Sequence, residues 1–182
     1  MKRTTRLTAG LVATAALAAP SAFATAQAAQ PDKPSKPVTS QTKQLLKDIA
    51  GKDARLARLS TSNAVTRLAD ETETELVSNI EDARTSLGEV KTSVEAADST
   101  VDTRAARKEL RGFRVENFRL VVNILRKAEG LEEVAATDPE ATDHLVAAED
   151  AALAITATST KADVRAARDH VQAAQAELDA ED

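Results

Sequence analysis

Between Ala64 and Ala97 the apolar residues step alternately by four and three: Leu76, Ile80, Ala83, Leu87, Val90, Val94 and Ala97. A period of 3.5 residues held over about three heptads is the seam of a helix lying along a partner helix. A second run, from Phe113 to Leu131, is apolar over a much wider arc. At about 100° per residue, Phe113, Val115, Phe118, Leu120, Val121, Val122, Ile124, Leu125, Ala128 and Leu131 sweep roughly 220° of the circumference. One neighbour cannot cover such a surface, so the run predicts the central helix of a bundle, packed by at least two others. It reads as the far half of a long helix that opens at Ser99-Thr-Val-Asp102, a capping-box pattern, and ends near Glu132. Glu116, Arg119, Asn123, Arg126 and Lys127 form its wet side. Arg114 and Asn117 fall inside the apolar arc, where a polar residue more often fixes register than binds a ligand.

Three further helices follow from the same reading. The first runs from about Ser40 to Leu59, with Leu45, Leu46, Ile49, Leu56 and Leu59 on one side and an interruption at Gly51-Lys52. Ser60 to Asn63 then breaks the pattern with residues that favour caps and turns. Thr137-Asp-Pro-Glu140 combines a capping oxygen, a first-turn proline and an acid at the positive end of the helix dipole. It starts a helix carrying Ala141, Leu145, Ala148, Ala152 and Ile155, and Thr160-Lys-Ala-Asp163 starts the last one, carrying Val164, Ala167, Val171, Ala174 and Leu178. The predicted fold is all-α: an elongated antiparallel bundle of two helical hairpins plus an N-terminal helix, with coiled-coil-like packing. Small residues dominate the second hairpin's seams, which allows close approach but buries little area, so that hairpin is expected to be the less stable. Val94 to Arg107 also aligns with Ile155 to Arg168 at an offset of 61 residues, sharing the cap, the acid and Arg-Ala-Ala-Arg.

If the 64–97 and 99–132 segments are antiparallel neighbours, residues whose numbers sum to about 198 share a height. Acids and bases then match: Asp70 to Glu75 with Arg126 and Lys127, Glu81 and Asp82 with Arg114 and Arg119, Glu89 with Lys108 and Arg111, Glu95 with Arg104. This ladder is the expected role of the basic residues. It implies that Arg107→Gln with Lys108→Gln lowers stability by tenths of a kcal/mol per exposed pair and leaves binding unchanged. The alternative is an anion-binding surface at the starts of two helices, made by Arg104, Arg107, Lys108, Arg111, Arg165 and Arg168.

Composition narrows the chemistry. The 182 residues contain no Cys, Trp or Tyr, a single Met and only two His, His144 and His170, so thiol catalysis, disulfides and zinc thiolate sites are excluded. No phosphate loop, nucleophile elbow or calcium loop is present. Glu140 and His144, with His170 on the neighbouring helix, are the nearest approach to a bundle metal site, but both histidines flank their seams and no metal or cofactor is expected. Residues 1–28 read as a secretory signal: Lys2, Arg3 and Arg6, an apolar stretch from Leu7 to Ala19, and Ala-x-Ala cleavage patterns ending at Ala28. Residues 29–39 form a Pro/Lys-rich linker with Pro31, Pro34 and Pro37 at polyproline spacing, and 40–182 the bundle. The full chain carries a net charge of −5. Removing the leader with its three basic residues takes this to about −8, which argues against nucleic acid as a partner.

The expectation is a secreted, non-enzymatic bundle, with no stable membrane anchor, that binds a protein or cell-wall partner outside the cell and leaves room for an oligomer. A bundle with a weak metal or anion/lipid-binding site is the alternative.

Overall fold

A computed structural model describes residues 38–181. The predicted leader and all but the last two residues of the predicted linker lie outside them. Six helices follow in order: α1 (Val38–Ser60), α2 (Asp70–Glu95), α3 (Thr100–Gly112), α4 (Glu116–Ala135), α5 (Pro139–Leu153) and α6 (Lys161–Glu181). The chain is an all-α helical bundle, and the described residues contain no strand. α1 begins at Val38, within the predicted linker, and runs unbroken through Gly51, whose exposed position leaves open space where a side chain would be.

The predicted long central helix is two helices. α3 stops at Gly112, Phe113 takes an extended conformation (φ −81°, ψ 107°), and α4 starts afresh at Glu116. A break costs helical hydrogen bonds, and the freed groups find partners elsewhere. The Phe113 carbonyl accepts from Lys52 Nζ at 2.6 Å, and the Arg114 amide donates to the Ala157 carbonyl at 2.7 Å. Redirected at this joint, α4 packs on α5 and α6 instead of returning along α2. The result is two three-helix groups, α1–α2–α3 and α4–α5–α6, whose main contact is α2 against α5. Thr72 Oγ1 donates to Glu149 at 2.6 Å and Asn79 Nδ2 to the Leu153 carbonyl at 2.9 Å across that contact.

The wide arc on α4 is buried as its pattern requires. Phe118, Val121, Val122, Ile124, Leu125 and Ala128 are all inside, whereas Arg119, Asn123, Arg126 and Lys127 are exposed. The seam on α2 is buried from Leu76 to Val94, but the helix begins at Asp70 and not Ala64; the turn before it still buries Val65 and Leu68. Both second-hairpin seams are buried too, except for the partly exposed Leu178, and α5 with α6 is the most extensive helix pairing among the described residues. Alanines at 141, 148, 152, 167 and 174, all fully covered, permit that approach.

The offset of 61 residues survives in three dimensions. Ser99 caps α3 and Thr160 caps α6, each answered by an acid three residues on, Asp102 or Asp163. Thr103, Ala106, Leu110 and Phe113 are buried on one side of the repeat, and Val164, Ala167, Val171 and Ala174 on the other. Hydrogen bonds from Ser99 hold the Asp102 carboxyl below the usual carboxylate range, so the stability it contributes is present above its ordinary value and is lost as pH falls through the lowered one.

Glu132 behaves oppositely. Partial burial, with Glu129 and Glu149 nearby, raises its pKa. Its ionised form is therefore disfavoured in the folded state, and stability falls as pH rises from the ordinary value through the raised one. Glu132→Gln is expected to unfold at a higher urea concentration than the parent at pH 7, with the gain disappearing below the ordinary carboxylate value. The side chain is largely exposed, so the gain is small. A variant that was less stable at pH 7 would refute this assignment.

Candidate functional site

The charge ladder does not form. Among the described residues the ion pairs are Arg55 with Glu116, Arg84 with Asp53 and Glu81, and Lys91 with Glu95. Glu95 is taken by its own helix and not by Arg104, and Lys127 donates to Gln175 and not to the acids at the start of α2. The physical reason is the break at Gly112: with α4 turned away from α2, the height rule that matched the charges no longer applies. Arg84, donating to Asp53 Oδ1 at 2.7 Å and to Glu81 at 2.9 Å, is the main electrostatic tie between α1 and α2, and those bonds raise its pKa further.

None of Arg104, Arg107, Lys108, Arg111, Arg165 and Arg168 makes an ion pair within the described residues. They do not form one patch either. Arg107 and Arg111 line a cleft of about 750 Å³ between α1 and α3, facing Lys47, Lys52 and Arg55. Arg165 and Arg168 line another, of about 370 Å³ between α4 and α6, with Arg114 and Lys161. Arg104 and Lys108 are exposed on α3 and line neither.

A third cleft lies between these two. It holds about 350 Å³ between the end of α1 and the start of α4, and it shares Arg55 with the first cleft and Glu116 with the second. Arg58 and Arg119 add two cations to its wall. Five basic side chains in the first cleft, two more in the third and four in the second make eleven across three neighbouring clefts, against the carboxylates of Asp48 and Glu116. Such a concentration is unexpected in a chain whose net charge is −5. Like charges held together with few counter-charges destabilise the fold unless an anion relieves them, and they raise the local concentration of anions. Ser62 Oγ, the one buried side-chain polar atom among the described residues without a hydrogen-bond partner, also belongs to a residue of the third cleft.

The α1 contribution was not visible in the sequence. Lys47, Lys52 and Arg55 look like the solvated face of an amphipathic helix, and only the packing of α1 on α3 sets them opposite Arg107 and Arg111. A separate cleft of about 320 Å³ is walled by Asp82, Glu89 and Glu109 over Phe113 and Phe118 and contains no basic side chain. The molecule thus segregates its charges. No group of three or more His, Asp or Glu able to hold a metal occurs among the described residues. His144 and His170 do meet, with ring centroids 6.2 Å apart, but lack a third ligand. No described helix is long and apolar enough to cross a membrane. Comparisons with family models, curated proteins and solved structures find no match.

Proposed function

We propose that this chain is an exported, non-enzymatic binding module that docks on an anionic polymer of the cell envelope through its neighbouring basic clefts. The observation that carries this reading is the set of eleven cations lining three neighbouring clefts on α1, α3, the α3–α4 joint, α4 and α6, none of which pairs with the α2 acids. A linear polyanion matches a set of clefts that an isolated small anion would occupy only in part. The leader-like residues 1–28 supply the export half of the proposal, and the lysines of the linker add positive charge ahead of α1.

The test uses purified poly(glycerol phosphate) wall polymer on a biosensor surface. Binding is expected to weaken as salt rises, and Lys47→Gln with Arg107→Gln and Arg111→Gln is expected to weaken it about tenfold, a loss of about 1.4 kcal/mol. Urea stability should stay the same or rise, the reverse of what a ladder requires. Absence of binding at low salt would overturn the reading. Equal affinity for duplex DNA of matched charge would overturn the envelope assignment and leave a general polyanion binder.

A further inference from the structure

We infer that the α4–α6 cleft is a site for a small amphiphilic anion, one acidic head group joined to a short apolar body. This inference is separate from polymer docking and rests on what distinguishes this cleft from the other basic clefts.

Its floor is apolar and its rim is cationic. Leu120, one of two positions in the α4 arc left only half-buried, lies in the floor with Val164, while Arg114, Lys161, Arg165 and Arg168 stand around them. A partly exposed leucine in a cleft lined by four cations is poorly served by water alone. A purely ionic ligand would leave the leucine wet, and a purely apolar one would strip water from the cations without pairing them. A ligand with both parts satisfies both. The single carboxylate in the rim, Glu116, is engaged by Arg55 at 3.5 Å from outside the cleft, so it does little to cancel the four charges. The guanidinium of Arg114 is steadied by a bond from Nη1 to the Ser159 carbonyl at 3.3 Å, with its remaining donors available. At about 370 Å³ the space is at the lower end of the range for small-molecule sites, which fits a single short-chain amphiphile.

The experiment is calorimetric titration of the purified protein with octyl phosphate below its micelle concentration, with inorganic phosphate and octanol titrated in parallel. Octyl phosphate is expected to bind at least about tenfold more tightly than inorganic phosphate, and octanol not to bind measurably. Arg165→Gln with Arg168→Gln, both exposed and unpaired, should weaken octyl phosphate about tenfold or more without unfolding the protein. Leu120→Asn should remove the advantage of octyl phosphate over inorganic phosphate. Equal affinity for the two phosphates in the parent protein, or unchanged binding in the arginine variant, would overturn the assignment. So would binding to anionic phospholipid vesicles with none to monomeric octyl phosphate, which would mark a membrane surface as the true ligand. The polymer reading can fail on its own variant while this result stands, so the two are distinguishable.

Discussion

Phe118→Ala is expected to lower the unfolding free energy by about 3 to 5 kcal/mol, the range for removing a large aromatic side chain from a closed core. Phe118 is 1% exposed. It stands where the two three-helix groups meet, at the base of the cleft formed by α2, α3 and the α5–α6 loop, beside Phe113, Ile155 and Ala157. No other phenylalanine, and no Tyr or Trp, occurs in the described helices, because Phe113 lies in the joint and Phe23 outside the described residues. For comparison, Asp138→Ala removes a cap that accepts from the amides of Glu140 and Ala141 at 2.9 and 3.2 Å, and should cost about 1 kcal/mol. Urea unfolding of the two variants measures the difference. Equal losses would mean that Phe118 is not the point on which the two groups close.

Much of this architecture is legible in the sequence because burial imposes a period. Most of the α4 arc, the α2 seam and the second-hairpin alanines are inside; the capping signals at Ser99 and Thr160 mark helix starts to the residue, and Thr137-Asp-Pro-Glu140 marks the start of α5, where Asp138 is the cap. The break at Gly112 to Val115 leaves no such mark. Phe113 and Val115 are both buried, so the apolar phase runs across the joint as if the helix continued, and Val115 provides no capping side chain. Hints were present in the helix-weakening Gly112 and in two polar residues, Arg114 and Asn117, set into an apolar arc. The charge ladder failed for a related reason. Acids and bases are dense enough on both segments that a one-parameter height rule finds matches whether or not the helices are neighbours.

The candidate site was legible as a surplus of basic residues and illegible as a place. The sequence assigns Arg107, Arg111, Arg165 and Arg168 to one end of a bundle, and the fold divides them between two clefts. That division depends on which helix α1 covers and where α4 goes, and both are decided by the joint. Charge surplus can be counted along a chain; the convergence of charges from α1 and α3 is a property of tertiary packing alone.

Asn117→Ala is the variant that tests the joint itself. Asn117 is 5% exposed, and its Nδ2 donates to the carbonyls of Thr156 at 2.9 Å and Ser159 at 3.1 Å, fastening the start of α4 to the α5–α6 loop. The adjacent bond from the Arg114 amide to the Ala157 carbonyl belongs to the same clasp. Losing two hydrogen bonds in a partly buried setting should cost about 2 kcal/mol, whereas Asn123→Ala, exposed on the same helix, should change stability by less than about 0.5 kcal/mol. Hydrogen exchange distinguishes a clasp from a generic packing loss: the Arg114 amide should exchange faster in Asn117→Ala, while amides in the middle of α2 keep their protection relative to global stability. Asn117→Leu sharpens the point, because it supplies apolar bulk to an apolar arc but no donor. If Asn117→Leu were more stable than the parent, the asparagine would be dispensable to the fold, and its position between Arg114 and Leu120 in the α4–α6 cleft would have to be explained by the ligand instead.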